Sequence, residues 1–159
     1  MQRSVIIQTE DFDATVLVHA MRAQHGAQIG ALVTFTGLVR EQNLVTGDSS
    51  AVATLTLEHY PGMTERSIHK IIDQAEARWP LLDVCVVHRV GALAPTEQIV
   101  FVAVASAHRD TAFAAAEFVM DYLKTRAVFW KREQTEKGTH WVESAEADHT
   151  RAQQWQTDP

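Results

Sequence analysis

One run of the chain narrows the choice of architecture more than any other. Between Gln98 and Ala107 the segment Ile99-Val100-Phe101-Val102-Ala103-Val104 is apolar at every position. A strand sends successive side chains to opposite faces, so an unbroken apolar run has no face to give to water. It predicts a strand at the centre of a sheet. At 159 residues the chain is long enough for one domain with a substantial core.

Around that strand two periodicities alternate. Ser4–Gln8, Ala31–Arg40, Val52–His59 and Asp83–Val90 read as further strands, and Gly37 marks a bulge or a close approach. Phe12–Gln24 reads as a helix with Asp11 near its cap and Gly26 near its stop. A second helix starts with Thr64 as its cap, puts Ile68, Ile71, Ile72, Ala75 and Trp79 on one face, and ends at Pro80. Asp110–Lys124 is the third. Val128–Thr135 and Thr139–Glu143 form a hairpin turning at Glu136-Lys137-Gly138. Glu41–Ser50 has no apolar period and reads as a mobile loop. The expected fold is α+β, with a mostly antiparallel sheet and three main helices in a single domain over residues 1–145. Residues 146–159 read as a polar tail, at most a loose helix.

Charge and cysteine usage remove whole classes of function. A net charge of -6 argues against general nucleic-acid binding, which needs a broad basic surface, so any anion site must be local. The single Cys85 lies in Val84-Cys85-Val86-Val87 and reads as a buried small hydrophobe. No zinc-type spacing is present, and His19, His25, His69, His140 and His149 have no ligand-spaced partners, so no metal is expected. The first residues lack a signal-peptide core and no apolar run reaches membrane-spanning length, which predicts a cytoplasmic protein.

Against this acidic background, Leu123-Lys124-Thr125-Arg126-Ala127-Val128-Phe129-Trp130-Lys131-Arg132-Glu133 is unusual. Cations interleaved with large aromatics suit an anionic ring compound. They equally suit a helix end followed by an amphipathic strand with snorkelling side chains. Lys124 and Lys131 converge only if the chain folds back between them. Two ammonium groups brought together depress each other's pKa, giving a base or nucleophile when neutral and an oxyanion partner when charged. His108-Arg109, where the central strand passes into a helix, offers backbone N–H groups and a guanidinium fork to an anion, or a local ion pair with Asp110. Arg40 could add a second guanidinium. His88-Arg89 precedes a Gly91 turn and reads as structural.

Taken in order along the chain, these segments closely resemble the large, catalytic subunit of molybdopterin synthase. The resemblance rests on Gly37-Leu38-Val39-Arg40, Leu57-Glu58-His59-Tyr60-Pro61-Gly62-Met63-Thr64, His88-Arg89-Val90-Gly91 and Ala107-His108-Arg109. Leu123-Lys124-Thr125-Arg126-Ala127, Phe129-Trp130-Lys131-Arg132-Glu133 and Trp141-Val142-Glu143 complete it. It implies an α/β-hammerhead-like fold and a central homodimer within a heterotetramer. A small ubiquitin-like sulfur-carrier subunit docks at each end and threads its thiocarboxylated Gly-Gly tail into a pocket. Two sulfur transfers then turn cyclic pyranopterin monophosphate into the dithiolene of molybdopterin, with no cofactor. The resemblance makes Lys124 and Lys131 the catalytic pair and places Arg40, His108 and Arg109 in the substrate pocket. Because the sulfur arrives on the partner, no catalytic cysteine is needed.

The chain departs from the family pattern twice. Val128 stands where the family usually has proline, which predicts a less rigid junction between the lysines. Trp141-Val142-Glu143-Ser144-Ala145 lacks the arginine expected at Ala145, and Arg151 is a possible substitute. A catalytically weak scaffold that binds the carrier without turnover is the competing reading. An unrelated phosphate-ligand enzyme is a third.

Overall fold

The computed structural model describes residues 1–41, 52–135, 138–142 and 146–156. The elements run β1 (Gln2–Gln8), α1 (Ala14–His25), β2 (Ala31–Leu38), β3 (Val52–His59), α2 (Met63–Arg78) and β4 (Asp83–Arg89). They continue with β5 (Gly91–Leu93), β6 (Gln98–Ser106), α3 (Arg109–Thr125), β7 (Phe129–Thr135), β8 (Gly138–Val142) and α4 (Glu146–Gln153).

The strands form two four-stranded sheets, in the orders β1-β4-β6-β2 and β5-β3-β7-β8. β1 pairs with β4 in parallel, and every other pairing among the described residues is antiparallel. The apolar run is the interior strand β6, as its composition requires. Its pleat divides the core. Val100, Val102 and Val104 pack with Ile68, Ile72, Phe118 and Val119 of α2 and α3. Phe101, Ala103 and Ala105 face the other way, onto Met21, Leu17 and Val18 of α1. Helices therefore cover both faces of the first sheet. A third cluster, built on Val39, Leu55, Leu57, Val90 and Leu93, holds the second sheet against the edge of the first.

Several local expectations shift by a residue or two. The cap of α1 is Asp13, whose carboxylate accepts the N–H groups of Thr15 and Val16. Asp11 instead accepts the N–H of Phe12 and the side-chain amide of Gln98, and these bonds hold its pKa below the usual carboxylate range. The cap of α2 is Gly62, whose φ of 84° is open only to a residue without a Cβ at little strain. The Gly62 N–H donates to the Glu65 carboxylate at 2.5 Å. Thr64 lies inside the helix, and its hydroxyl accepts the N–H of Tyr60 and donates to the carbonyl of Val128 at 2.6 Å. Gly37 fulfils both of its readings. The β2–β6 register shifts between Gly37 and Leu38, and a Cβ on Gly37 would stand 2.7 Å from Val100 Cγ1.

The C-terminal segment packs through α4 and Trp155. Ala152 is buried, and the Trp155 ring meets Trp79 and Phe118 edge-on at 5.6 and 5.4 Å. Its indole N–H donates to the Asp121 carboxylate at 2.7 Å.

Candidate active site

A cavity of about 450 Å³ opens where the last turn of α3 meets the second sheet. Lys124 reaches it from α3 and Lys131 from β7, so the fold brings together two cations seven residues apart. The fold-back is fixed by backbone hydrogen bonds. The N–H groups of Arg126 and Ala127 donate to the Tyr122 carbonyl, closing the helix, and β7 starts two residues later against β3.

Val128 sits in the middle of that junction, and there the predicted loss of rigidity meets a local compensation. The Val128 N–H donates to Ser67 Oγ at 3.3 Å, a bond that proline could not make. Its carbonyl accepts from Thr64 Oγ1. Two side chains of α2 thus hold the peptide between the lysines from both sides.

Aromatic rings supply the other walls. Trp130 and Trp141 are 49% and 57% exposed and meet edge-on at 6.2 Å, with Tyr60 against Trp130 at 6.1 Å. The Arg132 guanidinium lies 5.8 Å from the centre of the Trp141 ring. Exposed indoles next to ammonium groups make a surface for a flat, anionic ring, as the interleaved sequence suggests.

The floor contains a residue that sequence reasoning assigned to structure alone. His88 and Arg89 are adjacent on β4 but do different things. Arg89 is a clamp: Nε and Nη2 donate to the Thr9 carbonyl at 3.2 and 3.0 Å, and Nη1 donates to the Gln98 carbonyl at 3.0 Å. His88 instead lines the cavity. Its Nδ1–H donates to the Arg89 carbonyl at 2.8 Å, and its ring stacks on Phe129 with centroids 4.0 Å apart and 23° between planes. Burial pushes its pKa down to about 3 against the opposing pull of that carbonyl, and the nearby Lys131, Lys124 and His59 push the same way. The ring is neutral at physiological pH. No sequence pattern distinguished this His from a core one; its place beside Phe129 depends on the pairing of distant strands.

The remaining candidates lie elsewhere. Arg40 is exposed two residues beyond Leu38, which belongs to the cavity wall. His108 and Arg109 are exposed at the start of α3, while Lys124 is in its last turn. Fifteen residues of helix place them about 22 Å apart at ~1.5 Å per residue, too far to share one cavity within one copy. Ala145 and residues 42–50 of the loop lie outside the described residues. Cys85 packs on the α1 side of the first sheet with Met21 and Phe101. Burial and the nearby Asp83 carboxylate raise its thiol to about 11, so it is a poor nucleophile. Among the described residues no three His, Cys, Asp or Glu side chains cluster as metal ligands would, and no helix is long and apolar enough to cross a membrane.

Comparison with known proteins points to one family. The family model described as "MoaE protein" matches residues 7–126. The molybdopterin synthase catalytic subunit of Vibrio cholerae is 51% identical over 156 residues, covering 98% of this chain and all of the relative. That of Escherichia coli K12 is 60% identical over 126 residues, which is 79% of this chain and 81% of the relative. A solved structure, the molybdopterin biosynthesis MoaE protein of Burkholderia ambifaria, superposes with a TM-score of 0.81 at 47% identity. It covers 99% of this chain and 100% of its own.

Proposed function

The chain belongs to the MoaE protein family, and from that premise we propose that it catalyses sulfur transfer in molybdopterin synthesis. The sulfur comes from the C-terminal thiocarboxylate of a small ubiquitin-like carrier, and the acceptor is cyclic pyranopterin monophosphate. One observation carries the reading: Lys124 and Lys131 open onto one cavity walled by exposed indoles. That cavity has the charge and the flat apolar surface that an anionic fused ring requires. Relatives named as catalytic subunits favour turnover over a scaffold role.

In this proposal the carrier's tail enters the cavity with its sulfur leading. Lys124 assists attack by moving a proton or by stabilising charge at the thiocarboxylate carbonyl. Lys131 holds the substrate or a hemisulfurated intermediate, and Arg40 and Arg109 take its phosphate. His108 and Arg109 serve the site of a second copy, in a homodimer with a carrier at each end, a reading that their separation from Lys124 along α3 supports. The catalytic domain spans residues 1–145, with 146–159 as an appended segment, and the protein works in the cytoplasm.

The test is a reconstitution with thiocarboxylated carrier and cyclic pyranopterin monophosphate, following dithiolene formation. Lys124→Ala is expected to abolish turnover and leave carrier binding largely intact. Near-normal turnover in that variant would overturn the assignment. Carrier binding without turnover in the unaltered protein would establish the scaffold reading.

A further inference from the structure

The least expected group in the cavity is the His88 ring. Three contacts fix it: the Arg89 carbonyl on Nδ1, the Phe129 ring on one face, and the interior of β4 behind it, where His88 pairs with Ile7 on one side and Val100 on the other. The bond to the carbonyl requires the proton on Nδ1, which leaves Nε2 as a lone-pair acceptor. Phe129 and Lys131 are two apart on β7 and leave the strand on the same face. The side chain that stacks on His88 and the side chain that carries the ammonium therefore approach it together. Lys131 also exerts the largest of the nearby charge effects on the ring. A protonated ring there would add a third positive charge to a cavity already holding Lys124 and Lys131. An unprotonated one adds an acceptor.

We propose that His88 is a positioning residue for Lys131: clamped by the Arg89 carbonyl and the Phe129 ring, it presents Nε2 to the ammonium and fixes where that group stands in the cavity. The consequence for turnover rests on the sulfur-transfer reading, whereas the coupling between ring and lysine does not.

The experiment separates the two. In the full-length protein, labelled His and Lys side chains are followed by NMR while turnover is measured with thiocarboxylated carrier and cyclic pyranopterin monophosphate. The ring should report the Nδ1–H tautomer between pH 5 and 8. His88→Phe keeps the stack and loses the acceptor. It should lower the titration midpoint of Lys131, because a charged amine loses a partner, and reduce turnover at saturating substrate by about tenfold or more. His88→Gln, which returns a polar group near the Nε2 position, should recover most of that loss. An Nε2–H or charged ring, or a Lys131 titration unmoved by His88→Phe, overturns the proposal. So does unchanged turnover in that variant. If His88→Phe does not fold, the tautomer of the unaltered protein and the Lys131 titration in His88→Gln decide the matter by the same criteria. If the unaltered protein gives no dithiolene while the coupling is present, the sulfur-transfer reading falls and the ring–lysine coupling stands.

Discussion

At the scale of single residues, burial moves Cys85 and His88 of β4 in opposite directions, because it disfavours the charged form of each: the thiolate of an acid and the imidazolium of a base. Cys85 points to the α1 side and His88 to the cavity. Cys85 is expected to resist alkylation in the folded protein at pH 8 and to react only on unfolding, which mass spectrometry after an iodoacetamide pulse would check. His88 makes stability depend on acid. Its folded value of about 3 lies below the ordinary 6.5, so below pH 6.5 the unfolded chain takes up a proton that the folded chain refuses. Stability should fall as pH drops from 6.5 toward 3, by up to about 1.4 kcal/mol per pH unit from this group. Denaturant midpoints at pH 7 and pH 5 should diverge less in His88→Phe than in the unaltered protein. Equal divergence would show that the slope comes from other groups. The burial of Cys85 was legible in its apolar run, but the place of His88 was not, because nothing in the sequence says that its ring would meet Phe129 of a distant strand.

At the scale of elements, the legible features were those that depend on neighbours a few residues away. The three main helices, the β7–β8 hairpin and the interior position of β6 all follow from local pattern, whereas the packing of α4 and Trp155 on the core does not. The exact caps did not, because Asp11 and Asp13 are equally good cap residues, and in the fold Asp11 is engaged by Phe12 and by Gln98 on β6 while Asp13 takes the first N–H groups of the helix. The division into two sheets and the short β5 were also hidden, since both depend on which distant strand β3 pairs with. The junction between Lys124 and Lys131 shows the same limit. Replacing a proline with Val128 looks like a loss of stiffness until Ser67 is seen to accept its N–H. Ser67→Ala should therefore destabilise the chain by about 1 kcal/mol and lower turnover. Adding Ser67→Ala to Val128→Pro should cost less than adding it to the unaltered chain, because proline has already removed the donor. Chemical denaturation of the four variants as a double-mutant cycle measures this, and simple additivity would mean that the bond contributes nothing.

At the scale of the whole molecule, His108 and Arg109 lie at one end of α3 and Lys124, with Lys131 beside it in the cavity, at the other. Sequence reasoning could nominate Arg109 and Lys124 but not their separation, which is a property of the helix between them. In the proposed homodimer each cavity draws Lys124 from one copy and Arg109 from the other. Lys124→Ala and Arg109→Ala, each inactive alone, should then complement when unfolded and reassembled together. Random pairing restores about a quarter of the sites, those built from the two unaltered halves. Carrier-dependent dithiolene formation checks this, and a mixture as inactive as its parts would place both residues in the same copy's site.

The parallel pairing of β1 with β4 has a consequence for synthesis. In the register Gln2 lies opposite Asp83, so the strand made first waits some eighty residues for its partner. At about 5–20 residues per second this is roughly 4–16 s of translation. During that interval Val5-Ile6-Ile7 has no strand to bond with, while later segments such as the β7–β8 hairpin can close almost as soon as they emerge. The ribosome thus delivers early a piece of sheet that can be installed only late.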